Sequence, residues 1–200
     1  MRIESASEFV QAAVTAVVVL CWLALAAAFI FKARGPRPQT MRREPASISG
    51  IVLQAIGLAC AWGLQRRTFS PLTPGPPAFA LVLAGLAVAL AVGSIWLTLS
   101  AIRILGKEWS FQARLVVGHR LVTEGPYRLV RHPIYTGMLG MLVATCLAVG
   151  HWIGLAPALL FYAAGTFIRV RGEERLLRAA FGDRYEEYTR RVPAVVPGLR

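Results

Sequence analysis

The sequence predicts an all-α integral membrane protein with five transmembrane helices. Hydrophobic residues make up 56% of its 200 residues, a larger share than is usual in soluble domains. They occur in continuous blocks rather than at alternating spacing, which is typical of helices surrounded by lipid. The length fits one domain, so residues 1–200 are treated as a single membrane unit.

Five apolar runs mark the predicted spans. The first and third are long enough to cross a bilayer with some tilt, whereas the other three lie near the lower limit of roughly 17 residues or just under it. Gly150 and His151 alone separate the last two runs, which predicts a tight helical hairpin. The predicted spans are residues 9–31, 48–64, 78–102, 134–149 and 152–168.

Small residues at four-residue spacing predict where helices approach each other closely. Gly85, Ala89 and Gly93 form such a stripe on the third run, and Gly57 and Ala61 form another on the second. Stripes of this kind let two helix backbones come together in a membrane. We interpret them as packing surfaces.

The charge distribution predicts the orientation in the membrane. The formal net charge is +12, and the loops after the first, third and fifth runs carry most of the lysines and arginines. The positive-inside rule therefore places these loops in the cytoplasm and the N-terminus outside. Arg66 and Arg67 oppose this assignment, since they follow the second run. Because the basic residues are divided among loops, a nucleic-acid partner is not expected.

A polar strip over residues 125–137 precedes the fourth run. Pro133 suits the first turn of a helix, where its missing N–H costs nothing. The free N–H groups of that helix end would attract an anion, and His132 and Tyr135 flank the position. The alternative is an ordinary anchor of arginine, histidine and tyrosine at the membrane interface.

A second polar strip, residues 169–188, follows the fifth run. Arg169 and Glu173 are four residues apart on a helix that continues out of the span, so they share a face and are able to pair. Glu174 extends this charged surface. The alternative is a solvated amphipathic tail.

Other common functional sites are not indicated. Cys21, Cys60 and Cys146 lie in three different apolar runs, so we expect neither a metal site nor a disulfide. No Gly-x-Gly-x-x-Gly turn follows a strand, which argues against a Rossmann nucleotide site.

The two strips together resemble the isoprenylcysteine carboxyl methyltransferase family. The resemblance rests on Gly-Pro-Tyr-Arg-Leu-Val-Arg-His-Pro-Ile-Tyr-Thr-Gly at 125–137 and on the paired glutamates before Phe181-Gly182, with Tyr185 and Tyr188 beyond. His119-Arg-Leu-Val122 fits the pattern upstream. The match covers roughly the last half of the chain. The wider superfamily includes phospholipid N-methyltransferases, and the C-terminal part of sterol reductases shares similar elements.

This resemblance implies S-adenosylmethionine as cofactor, bound in a pocket formed by residues 103–135 and a cytoplasmic C-terminal helical segment, residues 169–197. The implied cofactor-binding residues are His119, Leu121, Val122, Tyr127, His132, Pro133 and Tyr135, with Glu173 or Glu174 for the ammonium group. The helix end at Pro133 suits the cofactor's carboxylate. Arg169 would hold an anionic acceptor, and Glu173 or Glu174 would serve as the base if the acceptor were an amine or thiol. The implied catalytic set is therefore Arg169, Glu173 and Glu174.

The resemblance further implies methyl transfer to a lipophilic or lipidated acceptor that enters from the bilayer, most simply a carboxylate. A phospholipid, amine or thiol acceptor, an NADPH-dependent sterol-type reductase and a non-catalytic membrane protein are the alternatives. Arginine greatly outnumbers lysine and alanine is abundant, which indicates a GC-rich bacterial genome. We therefore expect a bacterial inner-membrane protein with its active site on the cytoplasmic side.

Overall fold

A computed structural model describes residues 2–35, 39–66 and 76–198, with their side chains except for those of residues 2–7 and Pro77. The elements in these ranges are α1 (Arg2–Arg34), β1 (Thr40–Arg43), α2 (Ser47–Gly63), α3 (Pro77–Leu105), β2 (Arg114–Val116), α4 (Pro133–Ala148), α5 (Trp152–Phe181) and α6 (Asp183–Arg191). Single 3₁₀ turns at Gly106–Glu108 and Gly125–Arg128 lie between α3 and α4.

Each predicted span corresponds to a helix, but the helices differ in length. Within the described ranges three helical stretches are long and apolar enough to cross a membrane: Glu8–Arg34, Ala78–Glu108 and Trp152–Phe181. The helices α2 and α4 have 17 and 16 residues and are shorter than this. The chain is thus mostly helical with three candidate spans, and a five-span arrangement stays a prediction.

The helix α4 lies at the centre of the bundle. Its residues Met141 and Ala144 pack against α1 and α3, and its residues Leu142 and Cys146 pack against α2 and α5. The hydroxyl of Tyr162 on α5 donates a hydrogen bond of 3.0 Å to the carbonyl of Tyr135, which fixes the first turn of α4. A helix that is buried on all sides is apolar all round.

Close helix contacts occur at some of the predicted glycines and not at others. A Cβ atom on Gly57 would lie 2.7 Å from the carbonyl oxygen of Ala158, which confirms the small-residue contact predicted for α2. The prediction for Gly85 and Gly93 is wrong, because a Cβ on either would meet no atom of the described residues within 4 Å. The close contact of α3 instead comes from α4, where a Cβ on Gly137 would lie 2.9 Å from the carbonyl of Ser94.

Arg66 contacts the C-terminal end of α4. Its guanidinium donates hydrogen bonds of 3.0 and 2.6 Å to the carbonyls of Leu147 and Ala148, and one of 2.8 Å to that of Gly150. Carbonyls at a helix end lack partners within the helix and carry partial negative charge. The arginine that opposed the predicted orientation is therefore used inside the fold, while Arg67 lies outside the described residues.

A two-stranded antiparallel sheet joins the connection after α1 to the connection after α3. Thr40 pairs with Val116 and Arg43 with Arg114. The all-α prediction is incomplete in this respect. The pairing holds the 103–132 connection against the bundle, and this connection forms one wall of the site described next.

Candidate functional site

A cavity of about 190 Å³ lies where the connection between α3 and α4 meets α5 and α6. It brings the two polar strips of the sequence together. The predicted site residues that line it are His119, Leu121, Val122, Tyr127, His132, Pro133, Tyr135, Arg169 and Glu173. Glu174 does not line it.

Arg169 is a buried cation at one side of the cavity. Its side chain continues from the apolar part of α5, and two of its nitrogens donate hydrogen bonds of 2.9 Å to Gln54 Oε1 and 2.6 Å to the carbonyl of Phe111. Its guanidinium carbon lies 4.8 Å from the centre of the Tyr135 ring. Its Nε has no hydrogen-bond partner among the described residues.

The predicted pairing of Arg169 with Glu173 is not formed. Within the described part of the chain, no carboxylate oxygen lies within the 4.0 Å ion-pair distance of Arg169. The reason is that α2 and the Phe111 carbonyl bind the guanidinium, while α4 binds the carboxylate. A buried cation whose hydrogen-bond partners are neutral is costly, so this position favours an anionic ligand.

Glu173 contacts the start of α4. The hydroxyl of Tyr135 donates to Oε1 of Glu173, and Nδ1 of His132 lies 3.2 Å from Oε2. The side chain of Glu173 keeps 25% of its surface exposed. This carboxylate is therefore the predicted glutamate that a ligand in the cavity reaches.

His132 lies between the two glutamates. Its Nε2 is 3.5 Å from Glu174 Oε1, and the side chain is 6% exposed. Burial by itself would lower the pKa of His132, but the hydrogen bonds and charges of Glu173 and Glu174 outweigh it and raise the pKa above its ordinary value. The two carboxylates thus favour the protonated form of the His132 imidazole.

Glu174 is bound by arginines instead of facing the cavity. Its Oε1 accepts hydrogen bonds of 2.7 and 3.0 Å from Arg131, and its Oε2 lies 3.2 Å from Arg178. The sequence left the two glutamates equivalent. The structure distinguishes them because consecutive residues on a helix point in directions about 100° apart.

The C-terminal segment occupies the start of α4. The N–H groups of Arg131 and His132 donate to the carbonyls of Pro193 and Ala194 at 2.8 and 2.9 Å. The Thr136 hydroxyl donates to the carbonyl of Val195 at 2.6 Å. The prediction that this helix end attracts a ligand carboxylate through free N–H groups is therefore wrong at His132, whose N–H the tail already binds.

Unpartnered polar atoms are concentrated in the cavity. Seven buried side-chain nitrogen or oxygen atoms in the described ranges have no hydrogen-bond partner, although one of them, Nε2 of His132, is within ion-pair distance of Glu174. All but one, the Thr98 hydroxyl, belong to residues that line it: Glu108, Arg114, His119, His132, Arg169 and Tyr185. Buried polar groups in folded proteins are nearly always hydrogen-bonded, so this concentration favours a polar ligand.

Several residues of the cavity were not predicted from the sequence. Gln54, which binds Arg169, lies inside an apolar run and was not singled out. Glu108 and Trp109 lie in a long connection without a motif, and the sequence did not indicate that both are buried. A polar residue in the middle of a predicted span was the available signal for Gln54.

A family of known proteins matches the central and C-terminal part of the chain. The model of the phospholipid methyltransferase family matches residues 82–184, which is just over half of the chain. The chain belongs to this family. The matched range contains every predicted site residue, and it also contains Glu108 and Trp109.

The relatives of the chain carry different names. The chain is 39% identical over 125 residues to the cobalt-zinc-cadmium resistance protein CzcN of Cupriavidus metallidurans, covering 60% of this chain and 50% of that protein. It is 39% identical to protein-S-isoprenylcysteine O-methyltransferase B of Arabidopsis thaliana, covering 40% of each chain. It is 37% identical to methanethiol S-methyltransferase 2 of Bradyrhizobium diazoefficiens, covering 45% of this chain and 34% of that one. The chain thus spans half or less of the length of these relatives.

Proposed function

We propose that the protein transfers a methyl group from S-adenosylmethionine to a lipophilic acceptor at the membrane interface, most simply a carboxylate. The acceptor chemistry is then that of isoprenylcysteine carboxyl O-methylation. Family membership and the relatives named for methyl transfer support this reaction type. The observation that carries the proposal is the cavity itself, in which no described carboxylate lies within ion-pair distance of Arg169 while Glu173 remains reachable.

The residues of the cavity fit the chemical groups of S-adenosylmethionine. Glu173 would bind the ammonium group, because it is the partly exposed carboxylate of the cavity wall. Tyr127 and Val122 supply buried apolar surface for the nucleoside. The unpartnered atoms of His119 and Tyr185 supply hydrogen-bonding groups that no described residue satisfies.

S-adenosylmethionine supplies a methyl group that is already activated on a sulfonium. The chain therefore has to orient the acceptor more than to activate it. Arg169 would bind an acceptor carboxylate through its free Nε, since Gln54 and the Phe111 carbonyl fix the guanidinium from the other side. Orientation of this kind contributes several kcal/mol, up to about 7–11 in favourable cases.

Exclusion of water would strengthen this attraction. The aromatic rings of Phe29, Trp109 and Phe111 contact one another at centroid distances of 5.4–5.9 Å on the wall beside Arg169. The C-terminal segment closes the side at α4. A charge pair in such surroundings is stronger than one in bulk water.

A thiol acceptor is the second candidate. A thiol has to lose its proton before or during methyl transfer, whereas a carboxylate does not. Glu173, hydrogen-bonded by Tyr135 and 3.2 Å from His132, is a carboxylate in position to receive that proton. One relative is named as a methanethiol S-methyltransferase, which supports a thiol as the second candidate acceptor.

The proposal is tested by methyl transfer in detergent. We would incubate the purified protein with S-adenosylmethionine labelled in the methyl group and one acceptor at a time. The acceptors are a prenylated cysteine with a free carboxylate, the same compound as its methyl ester, and an alkyl thiol. Labelling of the free carboxylate but not of the ester supports carboxyl methylation. Labelling of the thiol alone supports the second candidate.

The same assay separates two further alternatives, a reductase and a non-catalytic protein. A sterol-type reductase would oxidise NADPH and transfer no label. A non-catalytic membrane protein would do neither. No transfer to any of the three acceptors, with no binding of S-adenosylmethionine, would contradict the proposed function.

The orientation is proposed from the loop charges. We propose five spans with the N-terminus outside and the site on the cytoplasmic side of a bacterial inner membrane. Reporter fusions after Arg43, Thr73, Arg120 and Arg200 should read inside, outside, inside and inside. Thr73 and Arg200 lie outside the described residues. An inside signal at Thr73 would overturn the five-span arrangement.

A further inference from the structure

Glu108 is a buried carboxylate that the proposed reaction leaves without a role. It ends the 3₁₀ turn that follows α3, lines the cavity and is 6% exposed. Its Oε1 has no hydrogen-bond partner within the described ranges. No described arginine, lysine or histidine lies within the 4.0 Å ion-pair distance of it either.

A buried carboxylate without a partner lowers the stability of the folded protein. Burying a polar group without a hydrogen bond is unfavourable, and burying a charge is more so. The backbone of the turn offers no relief, because no described N–H donates to this oxygen of a side chain that lines the cavity. A ligand that brings a hydrogen-bond donor to Glu108 would remove this cost.

His119 provides a second polar group beside Glu108. It lines the same cavity, and its Nδ1 has no partner among the described residues. Burial lowers the pKa of His119, and the charge of Glu108 acts against this effect. The imidazole is therefore mostly neutral at pH 7, and a neutral imidazole is able to donate from Nδ1.

Apolar and aromatic side chains lie near these two groups. Trp109 follows Glu108 in the sequence, Val122 lies three residues after His119, and both are buried in the cavity wall. Lys107 is a cation close by, since its charge acts on His119, whereas charges of both signs occur at the Arg169 and Glu173 side. A planar apolar ring with a polar edge suits the first environment, whereas an ammonium group suits the second.

We propose that Glu108 and His119 bind the amino edge of the adenine ring of S-adenosylmethionine. Glu108 accepts a hydrogen bond from the exocyclic amino group, and His119 Nδ1 donates to a neighbouring ring nitrogen. This inference rests on the proposed function, because it assigns one end of the cofactor that the cavity would hold.

The test compares two ligands that differ at that edge. S-adenosylhomocysteine carries the amino group, and S-inosylhomocysteine carries a carbonyl in its place. Calorimetry in detergent with the unaltered protein should show roughly ten- to a hundredfold weaker binding of the inosine compound, since a carbonyl facing a carboxylate leaves both unsatisfied. This comparison needs no variant, so a folding defect cannot obscure it.

Variants of Glu108 sharpen the result. In Glu108→Gln the amide is able to turn its N–H₂ toward a carbonyl, so the preference for the adenine compound should shrink to less than about threefold. Glu124→Gln is the matched control, because Glu124 lies in the same connection, pairs with Arg120 at 3.3 Å and is 58% exposed. It should keep the preference of the unaltered protein.

The outcomes separate this inference from the proposed function. Binding of both compounds with equal affinity by the unaltered protein would overturn the role of Glu108 and leave the proposed function standing. A preference that survives in Glu108→Gln would also overturn it. Binding of neither compound would overturn both.

Discussion

Arg131 and Glu174 form a largely buried ion pair, with Arg131 Nη2 2.7 Å from Glu174 Oε1. Their side chains are 12% and 9% exposed. The same guanidinium donates to the carbonyl of Val192 in the C-terminal segment. The pair therefore joins the strip before α4, the helix α5 and the tail, and its role is to hold the walls of the cavity together.

This pairing predicts different results for the two glutamates. Replacing Glu174 with Gln leaves Arg131 buried without its counter-charge, and the free energy of unfolding should fall by about 3–5 kcal/mol. Glu173→Gln should cost less stability and weaken binding of S-adenosylhomocysteine instead. Thermal unfolding and calorimetry in the same detergent measure both effects. Equal losses of stability in the two variants would contradict the distinction.

Arg169 should separate binding from turnover. Arg169→Ala is expected to leave cofactor binding nearly intact and to slow methyl transfer by roughly ten- to a hundredfold, the effect of losing a charged hydrogen bond of about 1.5–3 kcal/mol. Arg171→Ala is the control, since Arg171 is exposed and rests on the Phe167 ring. Single-turnover rates give the measurement. Small and similar effects in both variants would indicate a structural arginine.

Lysine should not replace Arg169 fully. The two hydrogen bonds to Gln54 and to the Phe111 carbonyl use different nitrogens of one planar group. A lysine ammonium is a point charge and cannot reproduce that geometry. Arg169→Lys is therefore expected to recover a minor part of the single-turnover rate lost in Arg169→Ala, and full recovery would show that charge alone is sufficient.

Gly50 should control the position of Arg169. A Cβ atom at Gly50 would lie 2.5 Å from Cγ of Arg169 and 2.7 Å from the carbonyl of Gly165. Gly50→Ala must therefore push α2 and α5 apart or displace the arginine, and it should lower both turnover and thermal stability. Gly93→Ala is the control, because a Cβ there lies more than 4 Å from every atom in the described part of the chain. Unchanged turnover in Gly50→Ala would contradict the packing.

The raised pKa of His132 predicts a pH dependence of stability. The protonated imidazole is favoured in the folded state by Glu173 and Glu174, so its contribution is present in full below the ordinary pKa of 6.5. It is lost as the pH rises through the higher pKa of the folded protein. Unfolding temperatures measured from about pH 6 to 9 should therefore fall more steeply for the unaltered protein than for His132→Gln. Parallel curves would contradict this.

Much of this arrangement could be predicted from the sequence. The five apolar helices follow from hydrophobic runs, and the continuation of α5 to Phe181 places Arg169 and Glu173 on the helix expected. The residues carried over from the family pattern, from His119 to Tyr135, line one cavity. Local pattern was sufficient here because each of these features is set by a short stretch of chain.

The contacts between distant segments could not be predicted. Gln54 binds Arg169 across 115 positions, and the tail carbonyl of Ala194 binds the N–H of His132. The strand pairing of Thr40 with Val116 is also long-range. Such contacts depend on how helices pack, and hydropathy carries no information about that. For the same reason the sequence could not say which of the two glutamates faces the cavity.

The measurement that tests the central claim most directly is calorimetry of the purified protein in detergent with S-adenosylmethionine, S-adenosylhomocysteine and NADPH. The account predicts that the first two bind with dissociation constants on the order of micromolar and that Glu173→Ala weakens both. It predicts no binding of NADPH. Binding of NADPH without binding of either methyltransferase ligand would contradict the account.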